Sequence, residues 1–175
     1  MNDPRPELDA EAGRLEEDVL YSEKAHFGMA TFWGRVHFFL GIPSALAAAA
    51  SGVSAFRSEP LVAASLAVIS AFLTGLLTFL DPKKVAATHH AAGVEYADLR
   101  GRLRRLRAID LWGGADLKVC RCELEKMAAQ KSALARSTPH TGGLAYILAK
   151  RSIEKGEHGY AVDKEAPGMV SATEQ

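Results

Sequence analysis

Six histidines, two cysteines and a set of hydroxyls are the residues of this chain with chemistry to offer. Cys120 and Cys122 stand two apart, which sends them to different faces of a helix. The chain has no further thiol, so neither a zinc set nor a disulfide framework is expected. His89 and His90 are adjacent and cannot easily ligate one metal from a helical face, and His26 and His37 lie in an earlier stretch. A histidine cluster would need both stretches to meet; polar positions at a helix interface are the plainer reading. No Ser-His-acid order, Gly-rich phosphate loop or carboxylate pair in apolar surroundings occurs, so no catalytic residue, metal or cofactor is expected. The hydroxyls, by contrast, are ordered. Ser70, Thr74 and Thr78 repeat every four residues, one stripe on a helix. Ser44, Ser51 and Ser54, among many alanines, form a small-residue face.

Both hydroxyl sets lie in charge-free stretches. No Asp, Glu, Lys or Arg occurs between Arg35 and Arg57, or between Glu59 and Asp81, although charged residues make up 24% of the chain. Roughly 20 apolar residues cross a hydrocarbon core of about 30 Å. Residues 36–56 and 61–80 meet that length, which favours two membrane spans over two buried helices of a soluble bundle. A cleaved signal fits poorly, since many acidic residues precede the first run and a second follows at once. Only Arg57, Ser58, Glu59 and Pro60 join the runs, so the helices must be antiparallel neighbours. Lys24 and Arg35 before the first run, with Lys83 and Lys84 after the second, outweigh the lone Arg57. Both termini are therefore expected in the cytoplasm. Phe32, Trp33 and Phe79 suit an aromatic belt. Gly41 and Pro43 interrupt the first run, where an interior proline predicts a kink or helix start, as a gating hinge or a static bend. Ser44 is placed to help satisfy the carbonyl that Pro43 frees.

Flanking the runs are two heptad seams: Leu8, Ala12, Leu15, Val19, Ser22, His26, Met29 and Trp33 on one side, Ala92, Tyr96, Leu99, Leu103 and Leu106 on the other. Each predicts a helical arm continuing its span. With Val36 level with Leu80, the acidic Glu11, Glu16, Glu17 and Asp18 lie opposite Arg100, Arg102, Arg104, Arg105 and Arg107. Pairing between arms is preferred over anionic lipid or nucleic acid as the partner of these arginines, and no direct nucleic-acid binding is expected. Trp112-Gly113-Gly114 ends the second arm. A third helix is predicted over 115–136, Ser137-Thr138-Pro139 reads as a cap, and a short helix follows over 141–155 with Leu144, Ile147 and Leu148. Residues 156–175 are polar and aperiodic, a loose tail. The predicted fold is all-α: a two-helix transmembrane hairpin, antiparallel cytoplasmic arms and C-terminal cytoplasmic helices in 115–155.

Lys24-Ala25-His26, Gly41-Ile42-Pro43, the four-residue turn, Phe79-Leu80-Asp81-Pro82, then His90, Tyr96, Leu99 and Arg100 follow in an order that resembles the SLATT family. These are two-transmembrane effector domains associated with bacterial nucleotide-signalling and conflict systems. The resemblance covers the hairpin module, residues 8–110. It implies a non-enzymatic effector in the bacterial inner membrane that assembles with copies of itself and perturbs the bilayer upon infection. It transfers no catalytic residues. The activating signal would come from a separate nucleotide-signalling enzyme or sensor.

Two helices cannot enclose a channel, so a pore requires a homo-oligomer. Ser44, Ser51, Ser54, Ser70, Thr74 and Thr78 then either line a wet path or pack helices together. The alternative is a non-conducting anchor whose arms recruit a cytoplasmic partner; a soluble helical-bundle binding protein is the third reading. Pairing of the arms predicts that Leu15→Cys and Leu103→Cys form a crosslink under mild oxidation in the full chain. Absence of that crosslink, with a proximal control pair reacting, sinks the paired-arm register.

Overall fold

The computed structural model describes residues 3–154, and the expected tail at 156–175 lies outside them. Among the described residues the chain is helical throughout, without strands: α1 (Arg5–Phe56), α2 (Pro60–Leu80), α3 (Pro82–Arg105), a π-helical turn (Leu106–Asp110), α4 (Leu117–Ser137) and α5 (Gly143–Glu154). α1 starts at Arg5, with Pro6 in its first turn, where a missing N–H costs nothing. It runs through Pro43 without a break, so Pro43 is not a helix start. At its C-terminus the amides of Arg57, Ser58 and Glu59 fold back onto the carbonyls of Val53, Ala55 and Ser54, with Ser58 at a positive φ of 59°. Pro60 then opens α2.

α2 and α3 do not form one continuous arm as expected. Asp81 separates them in the left-handed conformation, φ 39° and ψ 55°. Its amide closes α2 on the Leu77 carbonyl, and its side chain caps α3 by accepting from the Lys84 amide at 3.3 Å. Asp tolerates this backbone because its short polar side chain finds a local partner. Pro82 at the first position of α3 completes the restart.

α3 returns along the N-terminal half of α1. Ala12, Val19, Tyr96, Leu99, Leu103, Leu106, Leu111, Cys120, Leu124 and Met127 form the main core, shared by α1, α3, the π turn and α4. The π turn, closed by the Leu111 amide on the Leu106 carbonyl at 3.0 Å, has a direct reason. Leu106 and Leu111 are five apart and both buried, and one extra residue per turn keeps them on the same face. Gly114, at φ 87°, then lets the chain reverse into α4, whose start is capped by Asp116.

Two C-terminal expectations are corrected. Thr138 closes α4 through its hydroxyl on the Leu134 carbonyl at 2.8 Å, so Ser137-Thr138-Pro139 ends one helix and does not begin the next. α5 begins at Gly143 and meets α1 through Ala145 and Ala149 against Ala25, while Ile147 is exposed. Small residues set the spacing here: a Cβ on Gly28 would stand 3.0 Å from the Leu148 Cβ.

Gly93 governs the α1–α3 distance in the same way, since a Cβ there would come within 2.8 Å of the Phe27 ring. Gly93→Ala should destabilise the chain by about 1–3 kcal/mol through overpacking. Gly101→Ala, with nothing within 4 Å of the added atom, should be neutral or stabilising by up to about 1 kcal/mol from helix propensity. Thermal unfolding in detergent, followed by circular dichroism, compares the two.

Candidate functional site: the interface along the long helix

Two helices of the chain are long and apolar enough to cross a membrane, by length and composition. Almost none of either apolar stretch is buried within the chain. Phe38, Phe39, Leu46, Val68, Phe72 and Phe79 all point outward. Four hydroxyls of these stretches, those of Ser44, Ser51, Ser70 and Thr74, turn the other way, into the α1–α2 contact. Ser44, only 6% exposed, donates to the Ser70 carbonyl at 3.1 Å. Its single proton is thereby used, so the Thr74 hydroxyl, 2.8 Å away, donates to Ser44. Ser70 answers by donating to the Ser44 carbonyl at 3.0 Å. A turn or two towards the hairpin loop, Ser51 donates to the Ala63 carbonyl at 2.8 Å. The Ser44 hydroxyl was expected to serve the carbonyl freed by Pro43; it reaches across to α2 instead.

The hydroxyls do not all share this contact. Thr78 bonds back to the Thr74 carbonyl of its own helix at 3.0 Å and stays exposed. Ser54 is half-buried, and its carbonyl receives the Glu59 amide. Gly41 sits against Leu77, 3.9 Å from a Cβ placed there, and Pro43 is exposed on the outer side.

Where α1 meets α3, two histidines from distant parts of the sequence come together. His26 Nδ1 and His89 Nδ1 are 3.0 Å apart, and each residue is 3% exposed. One Nδ1 must carry a proton and the other a bare lone pair, so the contact suits two neutral rings in opposite tautomers. The Tyr96 ring stacks on His26 at 5.4 Å. Burial, then the neighbouring His89, lowers the His26 pKa from 6.5 to about 4. Burial also lowers that of His89. The two histidines occupy polar positions at a helix interface, the plainer reading of the sequence, and the Val36–Leu80 register places His26 within a turn of His89. His90, next in sequence, packs on the edge of Phe27 outside the pair. No group of three or more potential ligands assembles among the described residues, so the pair stands without a metal set.

Of the expected pairs between the arms, Arg107 with Glu16 is formed, and Arg107 takes Asp9 as well. Arg107 lies over Gly13, its guanidinium carbon 3.3 Å from where a Cβ would stand. It donates from Nε to Asp9 at 2.9 Å and from Nη1 to Glu16 at 2.8 Å. Hydrogen bonds to Asp9, then Glu16, raise its pKa further. Arg100 instead reaches Glu23, which is 6% exposed and also contacts Lys24. Arg102 donates to Gln130 of α4 at 2.8 Å, and Asp18 pairs with Lys131 of α4 at 2.6 Å. Glu11 pairs with Arg14 of its own helix. Glu17, Arg104 and Arg105 lie on exposed faces. Helical phase explains the sorting: consecutive arginines cannot all face one partner. Cys120 is buried in the core and Cys122 is exposed, on different faces.

No family model, curated protein or solved structure matches this chain.

The histidine pair sets a pH dependence. Both folded values lie below the ordinary 6.5, so the neutral pair stabilises the fold above that pH. This contribution is lost as the pH falls from 6.5 towards about 4. The Tyr96 ring faces His26, His90 follows His89 in sequence, and the Glu23–Arg100 ion pair lies one helical turn from His26 along α1. Replacing both histidines, His26→Asn with His89→Asn, should flatten the fall in thermal stability between pH 7 and pH 4. An equally steep fall in the double variant would assign the acid sensitivity elsewhere.

Proposed function

We propose that the chain is a two-span protein of the bacterial inner membrane, with both ends cytoplasmic, that assembles into a pore or membrane-disrupting effector. The observation that carries the membrane reading is the outward apolar face of α1 and α2, left uncovered while Ser44, Ser51, Ser70 and Thr74 are satisfied between the two helices. Such a surface is unfavourable in water by roughly 25 cal/mol per Å² and compatible with lipid. Four basic residues flanking the open ends of the spans, against the lone Arg57 at the turn, support the orientation. The SLATT-like order of motifs supports the assignment to a nucleotide-signalling, anti-phage conflict system. In that setting a separate enzyme or sensor supplies the trigger, and the α1–α3–α4 bundle receives it. Thr78 is exposed, and Thr74 is exposed beside its bond to Ser44, so these two lie nearest to a water path between copies.

A specific observation favours a second reading. Ser44, Ser51 and Ser70 direct their hydroxyl protons inward within one chain, which suits a non-conducting anchor presenting the bundle to a partner.

Resistance to carbonate extraction tests the membrane location. Expression together with the neighbouring signalling genes should depolarise cells, and normal polarisation under activation would count for the anchor. Thr74→Leu should change conductance several-fold at unchanged helix content if the stripe is wet. If it only packs, the substitution shifts thermal stability and leaves ion flux alone.

A further inference from the structure

α5 runs along α1 in the same direction, towards the first apolar stretch: Tyr146 stacks on Tyr21, Leu148 lies against Gly28, and Ser152 shares a groove with Arg35. That groove, of about 310 Å³, opens between the two helices just before the stretch begins. Lys24, Gly28, Thr31 and Arg35 follow one another four, three and four residues apart, so they form one strip of α1 and the floor of the groove. Phe27, Phe32 and Leu148 supply apolar walls.

Lys24 and Arg35 are the charged residues of the lining, and no carboxylate is among them. The nearest acid along α1, Glu23, stands 3.6 Å from Lys24 and shares its charge with Arg100 at 3.3 Å. Glu154, at the end of α5, pairs with Lys150. Arg35 is exposed and makes no hydrogen bond or ion pair among the described residues. It is also the last charged residue before the apolar stretch. Beyond it the strip continues as Phe39 and Ile42, four and seven residues on and both exposed. The Thr31 hydroxyl already donates to the Phe27 carbonyl at 3.0 Å, which leaves the anion to the two cations.

A surface that is cationic at the start of a span and apolar beyond it has the polarity of one anionic phospholipid. We propose that the groove binds one. Arg35 holds its phosphate, the headgroup lies over Gly28 and Thr31 towards Lys24, and an acyl chain follows Phe39 and Ile42 into the bilayer. The proposal rests on the reading of the chain as a membrane protein and gives the border of its first span a lipid site.

The test places the full chain in nanodiscs of equal phosphatidylcholine and phosphatidylglycerol. After gentle release into detergent, native mass spectrometry counts the lipids still bound. Wild type should keep one phosphatidylglycerol in preference to phosphatidylcholine. Arg35→Gln should lower that retention several-fold, and Lys24→Gln should lower it too. Thr31→Trp fills the floor without changing any charge, and should abolish retention at unchanged helix content. Lys83→Gln with Lys84→Gln removes two exposed cations at the start of α3, outside the groove, and should retain the lipid as wild type does. Retention that survives both Arg35→Gln and Thr31→Trp, or falls equally in the Lys83 and Lys84 variant, overturns the site alone. So does a carbonate-resistant wild-type chain without preference between the two lipids. Displacement of the lipid by inorganic phosphate assigns the groove to a free anion and overturns the lipid. A photo-crosslinker on Thr31→Cys, in a Cys120→Ala, Cys122→Ala background, should label phosphatidylglycerol. Labelling of residues 155–175 or of a second copy in its place overturns the proposal. A chain that carbonate releases from membranes overturns the membrane reading and the lipid site together.

Discussion

α1 is unbroken from Arg5 to Phe56, so every partner packed along it must obey one helical phase. Ala12, Val19 and His26 recur every seven residues on the face that receives α3. Ser44 follows His26 by eighteen residues, which at 3.6 residues per turn returns to the same azimuth. Ser51 continues it. The contact with α2 and the contact with α3 are therefore one stripe on one rod, and neither could rotate alone. α5 takes an adjacent face through Ala25 and Gly28, where small residues permit close approach.

Along that stripe the chemistry changes with its surroundings. Where α1 meets α2, the surface outside is apolar and the stripe is made of serines bonded to carbonyls and a threonine. Where α1 meets α3 and α4, the stripe becomes aliphatic, and arginine–carboxylate pairs rim it. The histidine pair sits near the junction of the two regimes, buried and uncharged, with the Glu23–Arg100 pair one turn farther into the bundle. The exposed ion pairs contribute roughly 0–1 kcal/mol each, so the aliphatic stripe and the close glycine contacts fix the distance between the arms.

Much of this was legible in the residues. Charge-free runs marked the two apolar helices, heptads marked the seams of α1 and α3, and Pro60 marked the start of α2. Contacts that depend on azimuth were not. A run of arginines states its charge but not its direction, and Arg102 turned to Gln130 while Arg107 turned to Asp9 and Glu16. At Gly13 and Gly93 a guanidinium and a phenyl ring occupy the space the missing Cβ atoms leave, a fit that no residue spacing announces. Asp81-Pro82 was visible as a motif, yet its left-handed backbone, which ends one helix and caps the next, is a property of conformation.

That residue makes the two legs of the pair mechanically unequal. The α1 leg is a strut: torque applied at its N-terminal end passes through the backbone hydrogen bonds to Phe56, with Pro43 as the one place where a rung is missing. The other leg is jointed at Asp81, where the ladder of α2 stops and that of α3 begins afresh. Twist in α3 is not transmitted along the backbone into α2; it must cross sideways, through the shared stripe, into α1. The long helix is thus the transmission shaft of the molecule, and the jointed leg is its follower.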